Sequence, residues 1–313
     1  PDYAIDRSVW LPIMYDKKYL QELDIPEQKS LGGKVPGYAI DSFAHVASYD
    51  HLLNACKQLI ENREVIFTPL TELKFECRAI VDKLCKQFPE LEKHLIDIAP
   101  LIAQLRRKKE QRELEYLYRA IEITAIAQEA AAGVIKPGRR ESDVQAAIDY
   151  IFSEAQATRA FASVVGSGKN STVLHYVANN GVLAKQDLVV VDIGASFNHY
   201  CGDITRTYPV AGIFTPRQKE VYEIVLNTQE HVAALARPGM WLKNKDQPDK
   251  SLHHLAQKFI EEQGYGNYFP HGIGHFVGLD VHDVGDYSQP LAEVMSLPLN
   301  QEFTFLRSSW VFD

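Results

Sequence analysis

Three histidines and two aspartates fall within "HGIGHFVGLDVHDVG", residues 271–285, spaced by glycines and aliphatics of the kind that form strand and tight turn. His271, His275 and His282 in so short a span point to a divalent metal or to proton transfer, because imidazole is a borderline ligand and titrates near neutrality. One histidine on an apolar face is ordinarily a satisfied core residue; three in a glycine-rich segment are harder to read that way. Gly272, Gly274 and Gly278 let backbone pass close to a ligand. A fourth histidine, His175, lies in "VLHYV".

A metal in such a place also needs carboxylates, and "LVVVDIGASFNHYCGDITRTYPV" offers two. Asp192 ends an apolar run that reads as a buried strand, and Asp203 begins the next strand, so two acids enter one hairpin from opposite arms. Ionising a buried carboxylate without a partner is costly, which favours a shared divalent cation; capping of turns at the strand ends is the other reading, and both stay open here. Carboxylate together with imidazole suits Mn, Co or Zn. If one histidine binds metal, the others are left to contact substrate or move protons. Weaker signals drop out: "GSGKN" at Gly166 lacks the flanking elements of a phosphate loop and reads as a turn, and Ser167 has no triad partners nearby in sequence.

The elements that must position these residues fall into two blocks. Residues 1 to about 106 mix strand-like runs such as "EVIF" (Glu64 to Phe67) with a helix over Glu72 to Phe88, its apolar positions being Phe75, Ile80, Leu84 and Phe88. From Glu110 a long amphipathic helix is predicted through Leu114, Leu117, Ile121, Ala125 and Gln128, stopped by "VIKPGRRES". A helix over Asp143 to Glu154 follows, then β-rich runs at "FASVVG", "TVLHYV", "DLVVVDIGA" and "DITRTYPV", then helices over Arg217 to Ala236 and Leu252 to Gln263. Blocks of this kind predict an α+β catalytic domain and not a doubly wound sheet.

A chain of 313 residues, 46% hydrophobic, can bury a sizeable core. Its net charge of −8 argues against nucleic-acid binding, and the densest basic run, "RRKK" at Arg106 to Lys109, reads as solvating a helix start. No apolar run is long enough for a membrane span and "PDYAIDRSVW" lacks a secretory pattern, so a cytoplasmic location is expected. Cys56, Cys77, Cys85 and Cys201 show no CxxC spacing and read as reduced thiols; "NST" at Asn170 carries weight only in a secreted protein. The chain begins at Pro1 without an initiator methionine, and the start of its first domain is expected to be missing.

Taken together, "DIGASFNHYCGDITRTYPV" and "HGIGHFVGLDVHDVG" resemble the two metal motifs of the pita-bread metallopeptidases, in the Xaa-Pro aminopeptidase and prolidase branch, and "VVGSGKNSTVLHY" is similar to the substrate-binding strand before them. The resemblance covers roughly Arg107 to Tyr287. It implies a pita-bread domain over 107–293, behind a smaller α/β amino-terminal domain over 1–106 that narrows access to the site and joins a homo-oligomer contact. It implies that Asp192, Asp203 and His275 are ligands of a two-metal site, usually manganese, and that His175, His271 and His282 hold substrate and steady the tetrahedral intermediate. The implied reaction is metal-assisted hydrolysis of the bond between an amino-terminal residue and proline, in peptides with proline at the second position. Prolidase is the nearest alternative. A metal-free binding protein on this fold is expected to have lost its other ligands, and a creatinase-type hydrolase to lack the two aspartates.

The resemblance also requires two glutamate ligands, in "TIEPG" and "GIRIE" strands, and neither is present. The tail "VMSLPLNQEFTFLRSSWVFD" offers Glu302 in no recognisable setting. If the reading frame slips after Glu293, so that each codon takes the last base of one triplet and the first two of the next, the code permits "GDVITIEPGIYIPQELLGIR". The first missing glutamate then appears across Leu299 and Asn300, and Trp310/Val311 must give glycine. Residues 294–313 are therefore read as a frame-shifted tail. The chain as given is expected to bind metal weakly, to expose strand edges and apolar surface, and to be inactive.

Overall fold

The computed structural model describes residues 9–10, 45–46, 57–58, 60–62, 65–68, 70 and 75–292. Cys56, Glu64, the first residues of the helix expected from Glu72, and the tail with Glu302 lie outside the described residues. The chain divides into two compact units, Pro1–Ile102 and Ala103–Asp313.

In the first unit, β1 (Val9–Trp10) pairs in parallel with β2 (His45–Val46), and β3 (Ile66–Thr68) in parallel with β4 (Leu95–Asp97). Parallel neighbours need a crossover, which α1 (Phe75–Gln87) provides between β3 and β4. Leu84 and Leu91 are buried there, packed by Ile60, Ile66, Phe88 and Leu95. The unit boundary falls inside α2 (Ala99–Arg107).

The second unit has the expected α+β build. Helix α3 (Gln111–Val134) opens with a capping box between Glu110 and Glu113, and α4 (Glu141–Glu154) follows after the Pro-Gly break. One antiparallel sheet has the order β10 (Ile204–Pro209), β7 (Leu188–Ile193), β6 (Val164–Ser167); a smaller one has β5 (Thr158–Arg159), β8 (Ala195–Phe197), β9 (Tyr200–Cys201). β7 is central, and Val189 to Ile193 are all buried, which explains its unbroken apolar run. Ile123, Ala127 and Ala131 of α3 and Val144, Ile148 and Phe152 of α4 share one core with Val165, Val189 and Val191. A second core joins α5 (Pro216–Leu235) and α6 (Leu252–Glu262) to Met240, Ile273, Phe276 and Leu291. Among the described residues no helix is long and apolar enough to cross a membrane.

Two local expectations are corrected. The buried face of α3 is Leu114, Leu117, Ala120, Ile123, Thr124, Ala127, Gln128 and Ala131, whereas Ala125 is exposed and Ile121 half-buried. Two successive four-residue steps from Leu117 rotate off the face, because each advances about 40° beyond a full turn. "TVLHYV" is not a strand: after β6 the chain makes a 3-10 turn over Gly168–Thr172 and then runs irregularly, with Val173, Leu174 and Val177 exposed. Its β-branched residues lose to side-chain hydrogen bonds. Asn179, at φ 44°, accepts from Val165 N (2.9 Å) and donates to Ser163 O (2.8 Å), standing where a strand partner would.

His253, on the first turn of α6, is 8% exposed and stacks on Phe269 with ring centroids 5.2 Å apart. Burial, then the charges of Lys243 and His254, push its pKa down from 6.5 to about 4. Between these values the unfolded chain takes up a proton that the folded chain refuses. Stability is therefore full above pH 6.5 and falls by about 3 kcal/mol as pH drops towards 4. His253→Phe keeps the stacking and has no proton to gain, so its urea midpoint is expected to change less over this range than that of the parent. Equal changes in the two proteins would contradict this.

Candidate metal centre

The hairpin that carries both aspartates is built around two glycines. β7 and β10 pair with Asp192 opposite Thr205, and between them β8 and β9 turn back at Asn198 (φ 48°) and His199 (φ 72°), two positive values as a type I′ turn requires. A Cβ on Gly194 would lie 2.0 Å from the Gly202 carbonyl oxygen, and one on Gly202 would lie 2.6 Å from Thr124 Oγ1. The "DIG" and "GD" glycines thus permit the close approach that brings Asp192 and Asp203 onto neighbouring strands. Helix α3 fixes the pair: Gln128 Nε2 donates to Val191 O (3.0 Å) and Ile204 O (2.7 Å), and Ala195 N donates to Thr124 Oγ1 (2.9 Å).

Both carboxylates are buried, Asp192 at 4% and Asp203 at 2% exposure. Thr205 Oγ1 donates to Asp192 Oδ1 at 2.7 Å. Asp203 Oδ2 lies 3.1 Å from His275 Nε2, while Asp203 Oδ1 is buried with no hydrogen-bond partner. His275 Nδ1 is 2.9 Å from the Phe276 carbonyl, which can only accept, so Nδ1 carries the hydrogen. In the neutral ring the Nε2 lone pair then faces a carboxylate. Two acceptors at 3.1 Å repel unless a proton or cation lies with them, and an imidazole anchored through its other nitrogen is the usual arrangement of a metal ligand. The donor set at Asp203 and His275 fits a divalent cation.

The other expected residues are placed unevenly. His282 is exposed, and its ring lies 4.0 Å, centroid to centroid, from that of His275. His271 is half-buried with Nδ1 2.8 Å from Gly272 O, and His175 is exposed with φ 58°. Among the described residues no three His, Cys, Asp or Glu side chains lie close enough together to hold a metal ion. The structure therefore pairs Asp203 with His275 and His282 with His275, and seats Asp192 on the adjoining strand. Residues 271–285 contain no strand and run as irregular chain, tied in by Cys201 N donating to Gly278 O (2.8 Å) and Asp283 N to Phe276 O (2.9 Å). Cys201 is a buried free thiol whose pKa burial pushes up to about 11, so it stays protonated.

Two features were missed in the sequence. Arg106 and Lys109 do not solvate a helix start: Lys109 Nζ donates to buried Asp283 Oδ2 at 3.0 Å, and Arg106 pairs with Asp283 and with Asp280 at 2.7 Å. A basic run beside a helix gives no hint of a partner so far along the chain. Glu141, fully buried, accepts from Ser167 N (2.8 Å), Asn170 Nδ2 (2.9 Å), Tyr176 Oη (2.9 Å) and Gly181 N (2.7 Å), gathering the segment that carries His175. An acid at a helix start reads as favourable to the helix dipole, which concealed that role.

Residues 115–305 match the family described as metallopeptidase family M24. The chain belongs to this family. The M24 chain is 35% identical over 217 residues to a Xaa-Pro aminopeptidase of Haemophilus influenzae, covering 65% of this chain and 50% of that protein. It is 40% identical over 193 residues to a Xaa-Pro dipeptidase of Pyrococcus furiosus, covering 61% and 53%. The M24 chain thus spans about half the length of these relatives. Its fold is the pita-bread fold. It superposes on an Escherichia coli aminopeptidase P variant solved with substrate at a TM-score of 0.66 and 28% identity, over 83% of this chain and 62% of that one. Against the prolidase of Pyrococcus furiosus the TM-score is 0.66 at 33% identity, over 82% of this chain and 72% of that one. Membership of this metallopeptidase family implies divalent metal ions.

Proposed function

We propose that this M24 protein is a manganese-dependent Xaa-Pro aminopeptidase, with Asp192, Asp203 and His275 as ligands of a two-metal site. The observation that carries the reading is the buried, unpartnered Asp203 Oδ1 beside an imidazole whose Nδ1 is committed to a carbonyl. Divalent cations held by these residues would supply a water of lowered pKa and polarisation of the carbonyl before proline. Asp192 and Asp203 supply the charge that holds them, and the Phe276 carbonyl fixes the ring orientation of His275. We read His282, exposed beside His275, as the residue that hydrogen-bonds the substrate and steadies the tetrahedral oxyanion; its ring contact with His275 supports this. His271 and His175 complete substrate binding. We assign residues 1–106 to an amino-terminal domain and 107–293 to the catalytic domain, and read the intact protein as a cytoplasmic homo-oligomer.

We read residues 294–313 as a frame-shifted stretch standing where the first glutamate strand belongs, so that residues 1–313 lack that ligand and are expected to be inactive. Similarity to a Xaa-Pro dipeptidase supports prolidase as a second reading. The test compares a Xaa-Pro dipeptide with a Xaa-Pro tripeptide, with manganese, using protein translated from the frame corrected after Glu293. The tripeptide is expected to be cleaved and the dipeptide poorly, whereas the reverse makes the enzyme a prolidase. Absence of manganese-dependent cleavage of either sinks the peptidase reading, and measurable cleavage by residues 1–313 as they stand sinks the claim of inactivity.

A further inference from the structure

We propose that Lys109, assisted by Arg106, is a positioning residue that sets His275 and His282 through Asp283. Lys109 is 6% exposed and Asp283 5%, so each charge is withdrawn from water and depends on the other. Lys109 Nζ donates to Asp283 Oδ2 at 3.0 Å, Arg106 holds Oδ1, and Arg106 also reaches Asp280 at 2.7 Å. The loop is shaped around this pair. A Cβ on Gly278 would lie 2.1 Å from Asp283 Oδ2 and 3.0 Å from Lys109 Cε, so glycine there makes room for the ions.

The link to the histidines runs through one carbonyl. Phe276 O accepts from Asp283 N (2.9 Å) and from His275 Nδ1 (2.9 Å), so the peptide group that aims the His275 ring is held by the residue that Lys109 clamps. His282 immediately precedes Asp283 in the chain, and its ring meets that of His275 at 4.0 Å. Releasing Asp283 lets both rings turn. The use made of these rings rests on the metallopeptidase reading, whereas the clamp is a property of the chain, so the two can fail separately.

The test therefore needs neither metal nor peptide. In Lys109→Met, compared with the parent in EDTA, the imidazole nitrogen NMR signals of His275 and His282 are expected to shift. Amide exchange at Asp283 should quicken at least roughly tenfold, with exchange at Val190 in β7 unchanged. Lys109→Arg restores the parent signals. Unmoved ring signals with unchanged Asp283 exchange would overturn the proposal, as would exchange that quickens equally at Val190 and Asp283. If Lys109→Met does not fold, Arg106→Ala carries the same comparison. It leaves the Lys109–Asp283 pair in place, and a several-fold quickening at Asp283 is expected; no change there overturns the clamp.

Discussion

Asp203→Asn is expected to stabilise the metal-free protein by about 1–2 kcal/mol and, in the frame-corrected enzyme, to lower manganese-dependent hydrolysis by roughly a thousandfold or more. Both effects have one cause. The Asp203 side chain is fully buried, with Oδ1 unpartnered and Oδ2 facing a histidine nitrogen whose hydrogen is on the other side of the ring. With His275 neutral and no cation, Oδ2 faces an acceptor and Oδ1 has no donor; a proton on His275 relieves only the first. An asparagine is neutral, and its amide hydrogen can be donated to His275 Nε2, turning a repulsive contact into a hydrogen bond. The same exchange removes an anionic ligand. Urea unfolding in EDTA and the hydrolysis rate with manganese are measured on the same variant; a destabilised or fully active Asp203→Asn contradicts the account.

Glu141→Ala is expected to cost about 3–5 kcal/mol in urea unfolding, the largest single loss of stability anticipated here. The carboxylate accepts two hydrogen bonds on each oxygen, from Ser167 N and Asn170 on one and from Tyr176 and Gly181 N on the other. Alanine leaves the buried Ser167 N–H and the half-buried Gly181 N–H without this acceptor. Glutamine keeps the shape and one accepting oxygen, so about 1–3 kcal/mol is expected for Glu141→Gln. Because the four donors span the chain from β6 to Gly181, the His175 segment should also become open to proteolysis in the alanine variant. A loss below about 1 kcal/mol, with that segment still protected, would show that the hub is dispensable.

What was legible in the sequence lies where one strong local preference decides the outcome. The apolar run before Asp192 has no choice but burial as a central strand, whereas the need for glycine at 194 and 202 emerges only from the approach of the two strands in space. The long helix after Glu110 was legible as a helix, although its buried face was drawn through Ala125 and in fact passes through Thr124 and Gln128. Failures occur where a distant side chain outbids local preference. "TVLHYV" is rich in strand formers, yet Glu141 and Asn179 engage the groups around it, and the segment leaves the sheet. Lys109 looked like a solvated charge because its partner, Asp283, is far along the chain. Of the site, the acid–histidine pairing of Asp203 and His275 follows from the motifs that also carry the family resemblance. The placements of His271 and His175 depend on loop geometry that spacing does not encode.

The most direct test is anomalous diffraction at the manganese edge from crystals of the frame-corrected protein grown with that metal. Expected are peaks about 2.2 Å from the Asp203 carboxylate and His275 Nε2, with Asp192 ligating the same centre. Loaded crystals with no peak between these side chains, or with Asp192, Asp203 and His275 turned away from one another, would contradict it.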